Sequence, residues 1–142
     1  MSRYGIESEI IITSAYCSIV NAIAVKAEII SVNKIMPFAY LIRNYRDASD
    51  LVYDLKTNRD YVNKALSLLG GQFENYQNDI PRIIGAIDIL VHKGMLVYKD
   101  GMICSTNQFR IKHDILPFFL RAITESKKIS ERQFMREVIR NV

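Results

Sequence analysis

The sequence predicts a mostly α-helical domain carrying one β-hairpin. Three observations predict it. Apolar residues recur at helical spacing through most of the 142 positions. Asp100-Gly101 stands between two short apolar runs, which is hairpin-turn chemistry. Apolar residues make up 49% and charged residues 24%, a composition that excludes a disordered regulator.

The first helix reads from Glu7 to Ile30. Its apolar positions (Ile10, Ile11, Ile12, Ala15, Tyr16, Ile19, Val20, Ile23, Ala24, Ala27, Ile30) are too frequent for one narrow stripe. A helix apolar most of the way round is central, or covered by another protein. Ile10 to Val25 carries no charge, but it falls short of the ~20 residues that span a bilayer. No basic n-region frames it as an export signal. The expectation is a cytoplasmic protein with no membrane contact, in which Cys17 and Cys104 stay reduced as small packing residues.

Ser31-Val32-Asn33 is expected to break the first helix, and Pro37 to open a second running to about Tyr45. Ser49 can cap a short helix through Leu51, Val52 and Leu55. Asn58 can cap the next, with Tyr61, Ala65, Leu68 and Leu69 inward and Gly70-Gly71 as its stop. Gln72 to Asn78 is polar apart from Phe73 and Tyr76, and reads as a turn or a ragged extension.

A helix capped by Asn78 or Asp79 follows, with Pro81 in its first turn. Ile80, Ile83, Ile84, Ile87, Leu90 and Val91 form its inward face, and Gly94 takes the C′ position behind His92 and Lys93. Met95 to Tyr98 and Met102 to Thr106 read as strands joined by Lys99-Asp100-Gly101. Helix, glycine, strand, turn, strand is how a recognition helix leads into a wing, so the whole of 1–142 reads as one winged-helix-like domain with an apolar N-terminal helix. The C-terminal extension holds a helix from Ile115 to about Ser126 and a last helix opened by the Ser130–Gln133 capping box. In that last helix Phe134, Met135, Val138 and Ile139 lie on one side, and Arg132, Arg136 and Arg140 on the other.

No catalytic constellation is legible. His92 and His113 are the only histidines, and neither stands in an HxxxH or HExxH arrangement. There is no G-x-S-x-G elbow, no G-x-G-x-x-G and no Lys-Ser/Thr after Gly70-Gly71. Asp47, Asp50 and Asp54 could share a helical face, which reads as solvated. The expectation is therefore a non-enzyme with no cofactor and no metal.

A binding role has more support. The outward positions of the helix before the hairpin are Arg82, Gly85, Ala86, Ile89, His92 and Lys93. Only Arg82 and Lys93 are cationic, and Asp79 and Asp88 oppose them, whereas groove readers need several side chains on base edges and phosphates. Lys99 at the hairpin tip is offset by Asp100. Small and apolar residues here suit protein contact better than specific DNA reading. Charge is uneven: residues 121–142 hold six basic and three acidic side chains of a total of 19 and 15. The ridge Arg132, Arg136, Arg140 suits a solvated face, a sequence-independent phosphate contact or an acidic partner. The candidate contacts are thus Arg82, Ile89, Lys93, Lys99, Arg132, Arg136 and Arg140.

The order of an apolar first helix, Met36-Pro37-Phe38, Ala86-Ile-Asp-Ile-Leu90, Lys93-Gly-Met-Leu-Val97, a hairpin and Leu116-Pro-Phe-Phe-Leu120 resembles a family. It is similar to the middle component of bacterial three-component ABC-ATPase defence systems, including the Lamassu small subunit. No tryptophan stands near the C-terminus; Gln133-Phe134 takes that place. Winged-helix accessory subunits of chromosome-condensing complexes share the layout. The resemblance implies a non-catalytic accessory subunit in anti-phage or anti-plasmid defence. Its partners would be an SMC- or repair-type coiled-coil ATPase and an effector, often a nuclease, with a non-specific contact to double-stranded DNA. The alternative is a dimeric winged-helix DNA-binding transcription regulator.

Overall fold

The computed structural model describes residues 3–45, 58–106 and 113–142. The helix expected after Ser49 lies outside them. The described residues are mostly helical, with one small antiparallel sheet. In order they form α1 (Arg3–Ala27), β1 (Ile29–Ser31), α2 (Val32–Asn44), α3 (Asn58–Ser67), α4 (Phe73–His92), β2 (Leu96–Lys99), β3 (Met102–Ser105), α5 (Pro117–Ser126) and α6 (Glu131–Asn141).

The central helix is α2, not α1, the helix the sequence offered as central or covered by another protein. Every residue of α2 from Pro37 to Ile42 is buried, because α1, α3, α4, α5 and α6 all pack against it. The second half of α1 joins the same core through Tyr16, Ile19, Val20, Ile23 and Ala24, while Ile10 and Ile11 in its first half are 62% and 69% exposed. The segment Ser8–Ala27 is long and apolar enough to cross a membrane by length and composition. The burial of its second half is the placement of a core helix. From α3, α4, α5 and α6 the core receives Val62 and Leu66, Ile83 and Leu90, Phe119, and Phe134.

Several expected boundaries shift for identifiable reasons. The first helix stops at Ala27, not Ile30: Glu28 adopts φ 68° and turns the chain out of α1. Lys127 Nζ then caps the end, donating to the Ala27 carbonyl at 2.6 Å. Ile29–Ser31, expected as the tail of a helix, is a third strand. It pairs antiparallel with β3 (Ile30 opposite Ile103) in a sheet of order β1-β3-β2. Three residues carry too little pattern to announce a strand; the partner across the sheet creates it. Ser31 does not break structure but starts it, as the N-cap of α2 accepting from the Lys34 amide at 3.1 Å. Pro37 is therefore interior to α2 and not in its first turn. The burial of that helix on all sides outweighs the one hydrogen bond a proline removes.

Residues 73–78, expected as a turn or a ragged extension, are helical, with Gln72 as the N-cap. α4 begins at Phe73, five residues before the expected cap, and carries Pro81 inside it. Gln77 and Pro81 are both exposed, so the Gln77 carbonyl that loses its donor meets water. Asp79 is not a cap, and its side chain points into the protein.

Other expectations hold. Gly94 (φ 75°) closes α4 in a Schellman arrangement, with Met95 N donating to Leu90 O and Gly94 N to Val91 O. Asp100 (φ 52°) and Gly101 (φ 77°) are both left-handed, the signature of a type I′ turn. It sets the register Lys99 opposite Met102 and Val97 opposite Cys104. Pro117 takes the first helical position of α5. Ser130 Oγ caps α6 by accepting from the Gln133 amide at 3.1 Å.

Candidate functional site

The seven candidate contacts fall into three places. Ile89, on the second half of α4, and Lys93, its C-cap, face the first half of α1. Together with Ile10, Thr13, Ser14, Cys17 and their neighbours they line a groove of about 470 Å³. Its floor is made of small side chains because α1 and α4 approach closely there; Cys17 Sγ lies 3.9 Å from the Ala86 carbonyl. Burial pushes the Cys17 thiol upward, with Lys93 acting weakly the other way, so it is a poor nucleophile. Ala86 was expected to face outward and is fully buried; Ile84 was expected to face inward and is 48% exposed. Both errors have one cause. The helix packs against α1, α2 and β2 at once, which turns the buried arc toward Ala86. Ile84 instead borders a smaller recess of about 290 Å³ with Val32, Val91 and Tyr98, between α4 and the hairpin.

Arg82 is a different case, for its guanidinium is tied inward. Nε donates to both Glu9 carboxylate oxygens at 3.0 and 2.9 Å, Nη2 also pairs with Glu9, and Nη1 donates to Asp79 Oδ1 at 2.7 Å. The other Asp79 oxygen accepts from the Tyr16 hydroxyl at 2.5 Å and lies 3.7 Å from Arg43 Nη1. Arg43 in turn sits over the Tyr16 ring, 5.6 Å from its centroid. Burial and the Asp79 carboxylate drive the Tyr16 hydroxyl far above its ordinary range, so it remains a donor. Arg82 lowers the Glu9 carboxyl, chiefly by hydrogen bonding. Glu9, Arg43, Asp79 and Arg82 border an open polar cleft of about 480 Å³ whose remaining walls include Tyr40, Asn75 and Asn78. Its two arginines and two carboxylates balance.

The sequence reading missed this network. One signal was present: Asp79 falls on the same helical face as Tyr76, Ile83, Ala86 and Leu90, and a carboxylate on a core face requires partners. Two buried lysine contacts were equally hidden. Lys34 Nζ donates to the Ser126 and Ile129 carbonyls at 2.8 and 2.5 Å, closing the end of α5, and burial lowers its pKa.

Lys99 stands exposed at the end of β2 beside the turn. Arg132, Arg136 and Arg140 all lie on the outer face of α6, bordering a shallow groove of about 600 Å³ with Ser130, Gln133 and Glu137. The structure therefore brings Ile89 and Lys93 together, gathers the α6 arginines on their own ridge, and leaves Arg82 and Lys99 apart from both. His92, read as a helix-end partner, holds the Asp88 carbonyl through Nδ1 at 2.8 Å. Among the described residues no group of three or more His, Cys, Asp or Glu side chains is placed to hold a metal ion. No family model, curated protein or solved structure matches this chain.

Proposed function

We propose that the chain is a non-catalytic, winged-helix-like binding module that works by protein contact. In this reading it is the accessory subunit that holds an SMC- or repair-type coiled-coil ATPase to an effector nuclease in defence against phage or plasmid. The fold reading draws on the order of elements: a helix, a short strand, further helices, then a helix that ends on glycine and feeds a type I′ hairpin, with β1 as third strand of the wing sheet.

One observation carries the functional reading. The helix in the recognition position, α4, exposes Ile84 and Ile89 and turns its only arginine inward onto Glu9 and Asp79. A helix built to read a groove presents cations together with amides; α4 exposes amides in its first turns (Asn75, Gln77, Asn78) but has no lysine and no outward arginine, and its second half presents Ile84 and Ile89. Ile10 on α1 lines the α1–α4 groove beside Ile89, Ile11 is exposed next to it, and Ile84 borders the separate recess against the hairpin. Exposed aliphatic side chains lining recesses in this way suit contact with another protein.

Co-expression with the products of the flanking genes tests the reading. The chain is expected to co-elute with a large coiled-coil ATPase, and the double substitution Ile84→Asp with Ile89→Asp to release it. Absence of any ATPase from the purified assembly overturns the proposal. A free dimer that protects one palindromic site on DNA would establish the transcription-regulator alternative instead.

A further inference from the structure

We propose that the ridge of Arg132, Arg136 and Arg140 on α6 is a sequence-independent contact for the phosphate backbone of duplex DNA. It goes beyond the protein-contact reading and uses a different face. The groove of that reading lies between α1 and α4, whereas α6 packs on α2 and α3. Either can fail without the other.

The arginines of this protein differ in what they touch. Arg82 is held by Glu9 and Asp79, and Arg43 by Asp79 and the Tyr16 ring. Arg121 lies over the Tyr61 ring and beside Glu125. The α6 ridge has no such partners among the described residues, apart from Arg140 at 3.9 Å from Glu137. The helix explains why. Phe134 and Val138 face the core, and positions 132, 136 and 140 fall on the opposite side of a 3.6-residue turn, as far from the core as α6 allows.

The groove beside the ridge has the chemistry of a phosphate contact. Its walls are three guanidinium groups, the Gln133 amide, the Ser130 hydroxyl and a single acid, Glu137. No apolar side chain lines it, so it lacks the buried anchor on which a protein interface depends. Spacing agrees as well. Arginines four residues apart advance about 6 Å along a helix. One strand of a duplex carries a phosphate about every 3.4 Å of its axis, and with the winding of the backbone adjacent phosphates come about 7 Å apart in space. The guanidinium fork is suited to such oxygens. Nothing on the ridge reads a base edge, because a single row of arginines following a strand meets only its backbone.

The test is fluorescence anisotropy of the full chain with a labelled duplex of arbitrary sequence, titrated at salt concentrations from about 50 to 200 mM. Three phosphate contacts predict a log–log salt slope near −2.7 and a loss of roughly 40-fold in affinity across that range. The triple substitution of Arg132, Arg136 and Arg140 to Gln is expected to weaken binding at least about tenfold at the low-salt end and to flatten the slope. The matching triple substitution to Lys is expected to keep the slope, since the contact is to charge. Glu137→Gln is expected to tighten binding severalfold by removing the one opposing charge. Far-UV circular dichroism confirms that each variant keeps its helices. The proposal is overturned by a triple Gln variant that binds as the natural chain does, by absence of duplex binding at the lowest salt, or by a polyglutamate peptide that displaces the duplex at equal charge concentration. The last result would assign the ridge to an acidic protein.

Discussion

Two sets of arginines make the most instructive comparison in this molecule. Arg43 and Arg82 lie where α1, α2 and α4 meet, and they serve the fold: each answers a carboxylate that the packing has drawn inside. Arg132 and Arg136 on α6 answer no carboxylate among the described residues, and Arg140 only Glu137 of its own helix at 3.9 Å. The residue type is the same and the local sequences are equally helical. What separates them is whether a partner from a distant segment arrives, 73 residues away for Glu9 and Arg82. Charge along a sequence therefore does not distinguish a structural cation from one available to a ligand. Neighbours in space do.

Mutations can break or sharpen that comparison. The largest effect is expected on the inner side of α6. Phe134 is fully buried with its ring 5.7 Å from Phe38, and Phe134→Ala should cost about 4 kcal/mol. Denaturant titration reads it directly, and a loss under about 1 kcal/mol would mean that α6 is not anchored there.

Asp79 comes next. It accepts from Tyr16 and Arg82 and faces Arg43, with 8% of its side chain exposed. Asp79→Ala leaves two guanidinium groups short of their counter-charge, so a loss of about 3 kcal/mol is expected. For a domain of this size that lowers the melting temperature by roughly 10 °C. Asp79→Asn keeps an acceptor for Tyr16 and should recover part of it.

Tyr16→Phe removes one hydrogen bond to a carboxylate that Arg82 still serves. It should cost about 1.5 kcal/mol, and a double-mutant cycle with Asp79→Asn should reveal non-additivity.

The Glu9–Arg82 pair should act through pH. Arg82 holds the Glu9 carboxyl below its ordinary value of 4.5. A carboxyl lowered on folding contributes stability above its unfolded value, and that contribution is lost as pH falls through the folded one. Hydrogen exchange in the first half of α1 should therefore rise below about pH 4.5, and Glu9→Gln should abolish the dependence. Smallest of all is the effect of the α6 ridge on stability. The triple Gln substitution is expected within about 0.5 kcal/mol of the natural chain, as for exposed positions generally. A larger loss would place these arginines in the first class after all.

How much of this was legible in advance depends on how far each feature reaches along the chain. The hairpin was readable because its cause is local. Asp100 and Gly101 adopt left-handed φ, and two short apolar runs flank them. The Ser130 cap and the Gly94 stop have the same local origin. The α6 ridge was readable too, since helical geometry alone puts 132, 136 and 140 on one face. The start of α4 was misplaced because Asp79 and Pro81 make as good a cap and first turn as any sequence offers. What overrode them was Tyr76, buried against Tyr40 at 5.3 Å between ring centroids, which holds the preceding turn in the helix. Ile139 was assigned to the inner side of α6 and is 70% exposed, because α2 and α3 cover only a narrow arc of that helix.

By itself, then, the sequence determined the helical character, the hairpin, the caps and the ridge, since each follows from propensity and periodicity within a few residues. Only the tertiary structure decided the rest. It made a strand of Ile29–Ser31, put α2 at the centre, drew Asp79 inward and tied Arg82 to Glu9 and Asp79. The physical reason is common to all four. A hydrogen-bonded edge, a shared core and a buried ion pair each belong to two segments at once, and their free energy appears only when both are in place.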